Sequence, residues 1–349
     1  MLFGRKKVLG LDIGSSTIKI AELNVSRSGA ELVSFGFAPT PHGAIASGEI
    51  SNATALSVAI SGLLGELKTK RKRVAIGIWG TAVIVKKITI PKIEKKLIAD
   101  QIRWEAEQYI PFDVNDIALS HHVIDSPAAV DTLDVLLIAA QNAMVDQYME
   151  TVRESKLELS ILDVSGFALA NTFQMNYGTR PGETIALLNI GAGNTNFVVI
   201  NNGDVVFSRD MPVGGFNFTN EIQKEMGVSA TEAESLKLSA AAKGEVPDEI
   251  HKIIESANDA MTEEVRNGFD FFAASTTGLS ISRCYFSGGG SGMPGLMEKV
   301  AQMANVPVEK LNCFNRVKAG RNLTTAYLEQ INSFSPIAIG LGLRLVGDS

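Results

Sequence analysis

A glycine- and hydroxyl-rich turn, Gly14-Ser15-Ser16, is the feature that most constrains this chain, because it stands between two apolar runs at residues 8–13 and 17–20. Both runs are rich in β-branched residues and the second alternates apolar with charged side chains, which predicts a β-hairpin. Gly14 lets backbone N–H groups approach an anion and the neighbouring hydroxyls add donors, so the tip is typical of a phosphate site. Asp12, at the end of the first run, can bind Mg²⁺ or its water shell. Taken alone, the motif fits an ordinary hairpin with a serine-rich turn equally well.

The same plan recurs at residues 185–200, where an apolar run is followed by the turn Gly191-Ala192-Gly193-Asn194 and a second β-branched run. Similarity on the scale of a whole domain suggests a duplicated fold with two facing lobes. Two phosphate-binding hairpins that face each other across a cleft would form a nucleotide clamp. A third motif fits the same cleft, since residues 284–292 predict a strand, three consecutive glycines and then a helix. Backbone of this kind can pass close to a flat ring or a phosphate.

The two hairpins and the late strand with its three glycines together resemble the actin, Hsp70 and sugar-kinase superfamily of ATP-binding proteins. Within it the chain resembles, over nearly its whole length, the PilM family, the cytoplasmic and FtsA-like component of type IV pilus assembly. The stretches that carry this resemblance, besides the first hairpin, are Met1-Leu2-Phe3-Gly4-Arg5-Lys6-Lys7, Ile88-Thr89-Ile90-Pro91, Glu105-Ala106-Glu107-Gln108-Tyr109-Ile110-Pro111-Phe112 and Glu232-Ala233-Glu234-Ser235-Leu236-Lys237.

The resemblance implies an α/β, actin-like ATPase fold in which two duplicated ribonuclease-H-like lobes surround a nucleotide cleft. We expect the first lobe at residues 1–180, with 1–82 and 157–180 as its core and 83–156 as an inserted FtsA-type subdomain. The second lobe is expected at residues 181–334, with a helical subdomain at 226–280. Residues 335–349 are expected to form a C-terminal helix that returns to the first lobe.

The resemblance also assigns residues to a site for ATP or ADP with Mg²⁺. Those expected at phosphate or metal are Asp12, Gly14, Ser15, Ser16, Thr17 and Lys19 on the first hairpin, faced by Gly191, Gly193, Asn194 and Thr195 on the second. Gly288, Gly289 and Gly290 are expected along the nucleoside, and Gly215 and Gly340 complete the expected cofactor-binding set. Glu234 and Lys237, one helical turn apart, resemble the pair that contacts ribose and adenine, and the alternative is a solvent-exposed ion pair.

One departure from the superfamily pattern bears on activity, because Asn189 stands where relatives usually carry Asp. An amide can coordinate Mg²⁺ weakly but brings no negative charge and cannot act as a base. Binding of Mg²⁺ would then depend mainly on Asp12, with Asn189 as a second candidate metal ligand. We therefore expect ATP to bind with slow or no hydrolysis. Asp163 is the remaining candidate to orient a catalytic water, and it fits the N-cap region of the following helix equally well.

As a further implication of the resemblance, we expect an ATP-binding scaffold of the inner-membrane platform for type IV pilus assembly. Its partner would be the short cytoplasmic N-terminal segment of PilN, a single-span membrane protein, held in a groove between the first lobe and the inserted subdomain. Pilus assembly ATPases and other platform proteins are further candidate partners.

Two alternatives stay open. The first is a polymerising ATPase like FtsA, although residues 347–349 do not form the amphipathic membrane-targeting helix that FtsA carries. The second is a small-molecule kinase of the same superfamily, which would need a second substrate pocket with a catalytic Asp, and Asp163 is its one candidate.

The composition limits the compartment and the partners. A net charge of −6 with interspersed acidic and basic residues gives no clustered basic face, so nucleic acid is not an expected partner. Two cysteines, Cys284 and Cys313, cannot build a disulfide framework and have no metal-ligand spacing. No apolar run of signal-peptide or membrane-spanning length is present. We expect a cytoplasmic protein, peripheral to the inner face of the cytoplasmic membrane, that reaches this membrane only through partners.

Overall fold

The computed structural model describes residues 6–124, 131–276 and 278–347. Its first sheet has six strands in the order β10-β6-β1-β2-β3-β16. The strand bounds are β1 Leu9–Ile13, β2 Thr17–Ser26, β3 Gly29–Pro39, β6 Arg73–Ile78, β10 Glu158–Val164 and β16 Lys318–Ala319. The expected hairpin forms between the antiparallel strands β1 and β2, in a register that places Asp12 opposite Lys19. β6 and β10 then run parallel to β1.

Helices and a small strand pair pack around this first sheet. α1 (Ala53–Leu67) begins after Asn52, whose side chain accepts a hydrogen bond from the Ala55 N–H, and ends at Lys68 in the left-handed conformation. The short strands β4 (Ile45–Ala46) and β5 (Glu49–Ile50) pair with each other ahead of α1. β16 pairs with β3, so residues 318–319, which the sequence places in the second lobe, contribute to the first sheet.

The second sheet has five strands in the order β13-β12-β11-β14-β15. The strand bounds are β11 Thr184–Ile190, β12 Thr195–Asn201, β13 Asp204–Met211, β14 Arg283–Ser287 and β15 Val308–Lys310. β11 and β12 form the second antiparallel hairpin, and β14 lies parallel to β11 on its other side. This arrangement of a hairpin beside a parallel strand repeats that of β2, β1 and β6.

Most helices of the second half surround this second sheet, whereas the helix at residues 325–331 contacts β3 of the first sheet through a hydrogen bond from the Tyr327 hydroxyl to the Phe35 carbonyl oxygen. Their bounds are α5 Gly215–Met226, α6 Ala230–Ala241, α7 Asp248–Ser275, α8 Leu296–Ala304 and α9 Thr325–Ile331. The helix expected after the three glycines is α8, which begins at Leu296, and residues 289–292 form one 3-10 turn ahead of it. Glycine is a poor helix former and Pro294 sits just ahead of α8, which explains the delay.

Residues 83–154 form a separate three-stranded layer in the order β7-β9-β8. Its elements are β7 Val83–Pro91, α2 Ile98–Tyr109, β8 Ile117–Ile124, β9 Thr132–Gln141 and α3 Asn142–Glu154. Because successive side chains of β9 point to opposite faces, Val135 and Leu137 pack beneath α2 while Leu136 packs into the core of the second sheet. This inserted layer therefore contacts the second lobe as well as the first.

Two linking helices, α4 (Ser165–Tyr177) and α10 (Pro336–Gly342), pack against each other and against the first sheet. Every residue of α10 is buried. A Cβ at Gly340 would lie 1.7 Å from the Ala168 carbonyl oxygen, and one at Gly10 would lie 2.0 Å from the Ala338 carbonyl oxygen. Backbone contact this close explains why glycine occupies both positions. Within the described ranges no helix is both long and apolar enough to cross a membrane.

Candidate functional site

The two glycine-rich turns meet at the centre of the molecule. An ideal Cβ built on Gly193 would lie 2.9 Å from Ser15 Oγ, so the tip of the second hairpin touches the tip of the first. The structure thus brings Asp12, Ser15 and the second turn to one place, although they are separated by about half of the chain.

The first tip is held by a buried ion pair and by β3. Lys19 Nζ donates to Asp12 Oδ2 at 2.9 Å and to the Thr17 carbonyl oxygen at 3.2 Å. The Gly14 N–H donates to the Thr17 carbonyl oxygen at 3.1 Å, and the Thr40 hydroxyl donates to the Gly14 carbonyl oxygen at 2.7 Å. A cation beside Asp12 offsets the cost of burying its charge and fixes its orientation.

The second tip is held by α5. The N–H groups of Gly215 and Phe216, at the start of this helix, donate to the carbonyl oxygens of Gly191 and Ala192 at 2.9 and 2.7 Å. Gly215 therefore lies at the predicted site, but its N–H positions the turn and is not available to a ligand. A Cβ on Gly214 would meet these two carbonyls at 2.6 and 2.7 Å, which explains the glycine there.

The amides of both tips are suited to an anion. Among the described residues, the N–H groups of Ser15, Ser16, Ala192 and Gly193 have no hydrogen-bond acceptor. Clustered backbone N–H groups without a protein acceptor are the usual donors to phosphate oxygens. The residues present thus fit a phosphate group, and the hydroxyls of Ser15, Ser16 and Thr17 add to the donor set.

A metal ion would have few protein ligands here. Within the described ranges no three His, Cys, Asp or Glu side chains lie together as a metal-binding cluster. Asn189 Nδ2 donates to Asn196 Oδ1 at 3.0 Å, and Asn189 Oδ1 accepts from the Ser287 hydroxyl at 3.2 Å. Asn189 is therefore occupied by neighbouring strands, and Asp12 is the one predicted metal ligand that carries a charge.

Asp210 on β13 is a half-buried carboxylate that the sequence motifs do not single out. Its Oδ1 accepts from Asn196 Nδ2 at 2.6 Å, and its Oδ2 accepts from the Gly80 N–H at 2.7 Å. Burial raises the pKa of the Asp210 carboxyl, and the donors from Gly80, Asn196 and Asn194 oppose this effect. The available signal was a carboxylate at the end of a mostly apolar strand, Val205-Val206-Phe207-Ser208-Arg209-Asp210, since a charge removed from solvent requires partners.

Glu234 and Lys237 form an ion pair on α6, at 2.6 Å, as in the alternative interpretation, but only the glutamate is partly exposed to solvent. The Lys237 side chain is only 9% exposed, against 38% for Glu234. Lys237 Nζ also donates to Thr219 Oγ1 at 2.9 Å and to the Gly215 carbonyl oxygen at 3.3 Å. The pair thus connects α6 to the start of α5, beside the second tip.

Of the three consecutive glycines, only one faces open space. A Cβ on Gly288 would lie 2.2 Å from the Ile190 carbonyl oxygen, and one on Gly290 would lie 2.6 Å from Ile190 Cγ2. These two glycines are required by packing against the second hairpin. Gly289 has no neighbouring atom within 4 Å of its Cβ position.

Two predicted site residues lie elsewhere. Gly340 is buried between α10 and α4, so it does not line the cleft as expected. Asp163 Oδ1 accepts a hydrogen bond from the Val164 N–H at 2.9 Å, and Asp163 Oδ2 forms an ion pair with Arg344. Each carboxylate oxygen therefore has a protein partner. Burial raises the pKa of the Asp163 carboxyl, and Arg344 opposes this effect. The N-cap residue of α4 is Val164, and Asp163 makes no cap bond to this helix.

A groove of about 540 Å³ lies beside the cleft, where β7 of the inserted layer meets β13 of the second sheet. Both are edge strands. The walls are mostly apolar, with Val83, Val85, Val206, Phe207 and Phe271, and the floor includes Gly80 and Val164 of the first lobe. Lys86 lies over the Tyr109 ring and Arg209 over the Phe271 ring, so cations mark the rim. Asp210 lines this groove and also contacts the second hairpin.

Comparison with known proteins places this geometry in context. The family model described as type IV pilus assembly protein PilM matches residues 10–346. A solved PilM–PilN type IV pilus biogenesis complex is similar with a TM-score of 0.88 and 27% identity, covering 97% of this chain and 98% of that chain.

Two more distant solved structures share the fold. The ethanolamine utilization protein EutJ from Carboxydothermus hydrogenoformans has a TM-score of 0.58 at 14% identity, covering 97% of this chain and 89% of that one. MreB5 of Spiroplasma citri, solved with ADP, has a TM-score of 0.54 at 12% identity, covering 96% and 94%. The predicted actin-like α/β fold is thereby confirmed.

Proposed function

Because the chain belongs to the PilM family of type IV pilus assembly proteins, we propose that it is a nucleotide-binding scaffold that holds a peptide of a PilN-type partner. The observation that carries the nucleotide part is the contact between the two hairpin tips at Ser15 and Gly193. A triphosphate bound by both tips would fix the angle between the lobes, and thereby the shape of the groove between β7 and β13.

ATP or ADP is the proposed nucleotide, with Mg²⁺ as the proposed metal. Asp12 would hold the metal or its waters, while the tip amides and hydroxyls would bind the phosphates. Glu234 and Lys237 are proposed to contact the nucleoside from the α6 side, and Gly289 from the opposite side. Mg²⁺ would neutralise phosphate charge when bound.

We propose that ATP hydrolysis is slow or absent, because the candidate general bases are already hydrogen-bonded or cannot accept a proton. Asn189 cannot accept a proton, both Asp163 oxygens are occupied by Val164 and Arg344, and both Asp210 oxygens accept N–H bonds. Among the described carboxylates beside the tips, Asp12 and Glu234 then remain to orient a water, and each is already paired with a lysine. The same occupancy of Asp163 disfavours the kinase alternative.

The partner is proposed to bind as an extended apolar peptide in the groove. Edge strands offer main-chain hydrogen bonds to such a peptide, and apolar pockets select alternate side chains. The solved PilM–PilN complex supports a PilN-type protein as the partner, and we propose that its N-terminal segment is this peptide. Through that membrane protein the scaffold would lie at the inner face of the cytoplasmic membrane.

Nucleotide binding is tested by calorimetric titration of ATP and ADP into Gly193→Ala. The added Cβ would press on Ser15 Oγ at 2.9 Å and separate the tips, so we expect affinity to fall at least tenfold. Gly62→Ala is the matched control, because nothing lies within 4 Å of that Cβ. Equal affinity in the two variants would contradict the two-tip site.

Peptide binding is tested by fluorescence anisotropy with the N-terminal peptide of the PilN-type partner. Phe271 is 52% exposed on the groove wall, and Phe271→Ala should weaken binding by about 1–3 kcal/mol, a range typical of truncating an aromatic anchor. Trp104→Ala is the matched control, since Trp104 is 59% exposed and does not line the groove. A loss confined to the Trp104 variant would place the peptide on another surface.

A further inference from the structure

Exposed lysines gather at one edge of the first sheet. The parallel strands β10, β6 and β1 are neighbours, so their first residues lie at the same edge. Six exposed lysines precede these strands or follow α1, and they are Lys6, Lys7, Lys68, Lys70, Lys72 and Lys156. We call this set the lysine edge. The interspersed charges of the sequence do not remain interspersed here, because folding brings three separate segments together.

Hydrogen bonds hold these segments close. The Arg71 guanidinium donates to the carbonyl oxygens of Val8 and Leu23 at 3.0 and 2.9 Å, which ties the loop before β6 to β1 and β2. The Glu158 N–H donates to the Lys72 carbonyl oxygen at 2.8 Å, which ties the same loop to β10. The lysine edge is therefore a continuous surface.

Few acidic groups offset this charge. Glu22 and Glu158 are already paired with Arg71 and Arg73 at 3.3 and 2.9 Å. Glu66 and Glu154 lie in the last turns of α1 and α3. In the part of the chain that the structure describes, Lys6, Lys68, Lys70, Lys72 and Lys156 have no ion-pair partner. Since the whole chain carries −6, this edge is opposite in sign to the rest of the molecule.

We propose that the lysine edge binds the anionic lipid headgroups of a membrane surface directly. Ammonium groups on long, flexible stems suit a fluid layer of phosphates, which offers charge without fixed geometry. Nucleic acid is disfavoured, because the described residues of this edge include no aromatic side chain to stack on bases, and Arg71 and Arg73 are already paired with Glu22 and Glu158. This contact is additional to the proposed tether through the partner peptide and does not depend on the groove.

The position of the edge sets a geometric condition. The six residues of β6 separate Arg73 at the lysine edge from the groove floor at Gly80, which is about 20 Å at the rise of a strand. A peptide anchored in the bilayer therefore needs about six extended residues to span the distance to the groove.

The test is sedimentation of the full chain with lipid vesicles at low salt. We expect binding to phosphatidylcholine vesicles that contain about 30% phosphatidylglycerol, none to pure phosphatidylcholine, and release at high salt. In the triple variant Lys6→Glu, Lys70→Glu, Lys72→Glu, the partition coefficient should fall more than 20-fold, since each lysine near such a surface contributes roughly fivefold.

The matched control is Lys95→Glu, Lys243→Glu, Lys252→Glu, which makes the same change in net charge at exposed lysines elsewhere and should keep binding. Absence of wild-type binding to anionic vesicles would overturn the proposal, as would equal loss in the two triple variants. Binding to single-stranded DNA or to an acidic protein without vesicle binding would also overturn it. Nucleotide and peptide affinities, measured on the same variants, should be unchanged, which separates this proposal from the scaffold function.

Discussion

A single carboxylate, Asp210, connects parts of the molecule that are distant in sequence. It accepts from Asn196, which accepts from Asn189 beside the second tip, and it accepts from Gly80 in the first lobe. Both of its oxygens are therefore used to hold the second hairpin against the start of the inserted layer. Since a partly buried carboxylate is costly without partners, each of these donors contributes to keeping the lobes in register.

Replacing Asp210 by Asn would turn an amide N–H toward the Gly80 or Asn196 donor and leave a part-buried donor without an acceptor. We expect Asp210→Asn to lower the free energy of unfolding by about 1–3 kcal/mol. Urea denaturation measures this change. Asp204→Asn on the same strand is the control, because Asp204 is part-exposed and has a weak contact with His122 at 3.8 Å. Similar losses of unfolding free energy in the two variants would contradict the proposed role of Asp210 in holding the lobes together.

At the scale of elements, α10 completes the first lobe from the far end of the chain. It packs on β1 through Gly10 and Gly342 and on α4 through Gly340 and Ala168. Backbones at this separation leave no volume for a methyl group. Small residues in α10 thus set how closely the two linking helices approach each other.

Gly340→Ala would place a methyl carbon 1.7 Å from the Ala168 carbonyl oxygen, so α10 must move away from α4. We expect a loss of at least about 1–3 kcal/mol in the free energy of unfolding, as is usual for overpacking. Gly62→Ala in α1 has free space and should be neutral or stabilising by up to about 1 kcal/mol. The melting temperatures of the two variants, measured by thermal denaturation, should then shift in opposite directions. A Gly340 variant as stable as the wild type would contradict the close contact between α10 and α4.

The hairpins were predictable from local sequence, because glycine, hydroxyl and β-branched residues mark a turn and its strands without reference to distant contacts. The helix after the three glycines was predictable as well, but its start at Leu296 was not, since glycine propensity and Pro294 delay it. Gly340 was assigned to the cleft although its glycine serves a helix contact, and Asp210 was missed because its partners come from Gly80 and Asn196. Local patterns identify turns, whereas tertiary partners decide what a buried polar or small residue does.

At the scale of the whole molecule, the cleft and the groove share a wall. β13 carries Asp210 toward the second tip and Phe207 toward the groove. A ligand that fixes the tips should therefore change the spacing of β7 and β13. Coupling of this kind is reciprocal, so each ligand must change the affinity of the other by the same factor.

We expect Mg-ATP to raise peptide affinity by roughly 5- to 150-fold, the usual range for allosteric coupling, and peptide to raise ATP affinity by the same factor. Anisotropy titrations in both directions measure the two factors, and Asp210→Asn should reduce both. Peptide affinity that stays constant while ATP binds normally would show that cleft and groove are independent.

The placement of α10 also has a consequence for biosynthesis. A ribosome delivers residues 336–342 after both sheets have emerged, yet these residues fill the space between β1 and α4. Until then the nascent chain must leave an apolar face of its earliest strand uncovered, where chaperones or misfolding can compete. Premature termination ahead of α10 should therefore give an aggregating product and not a smaller working protein.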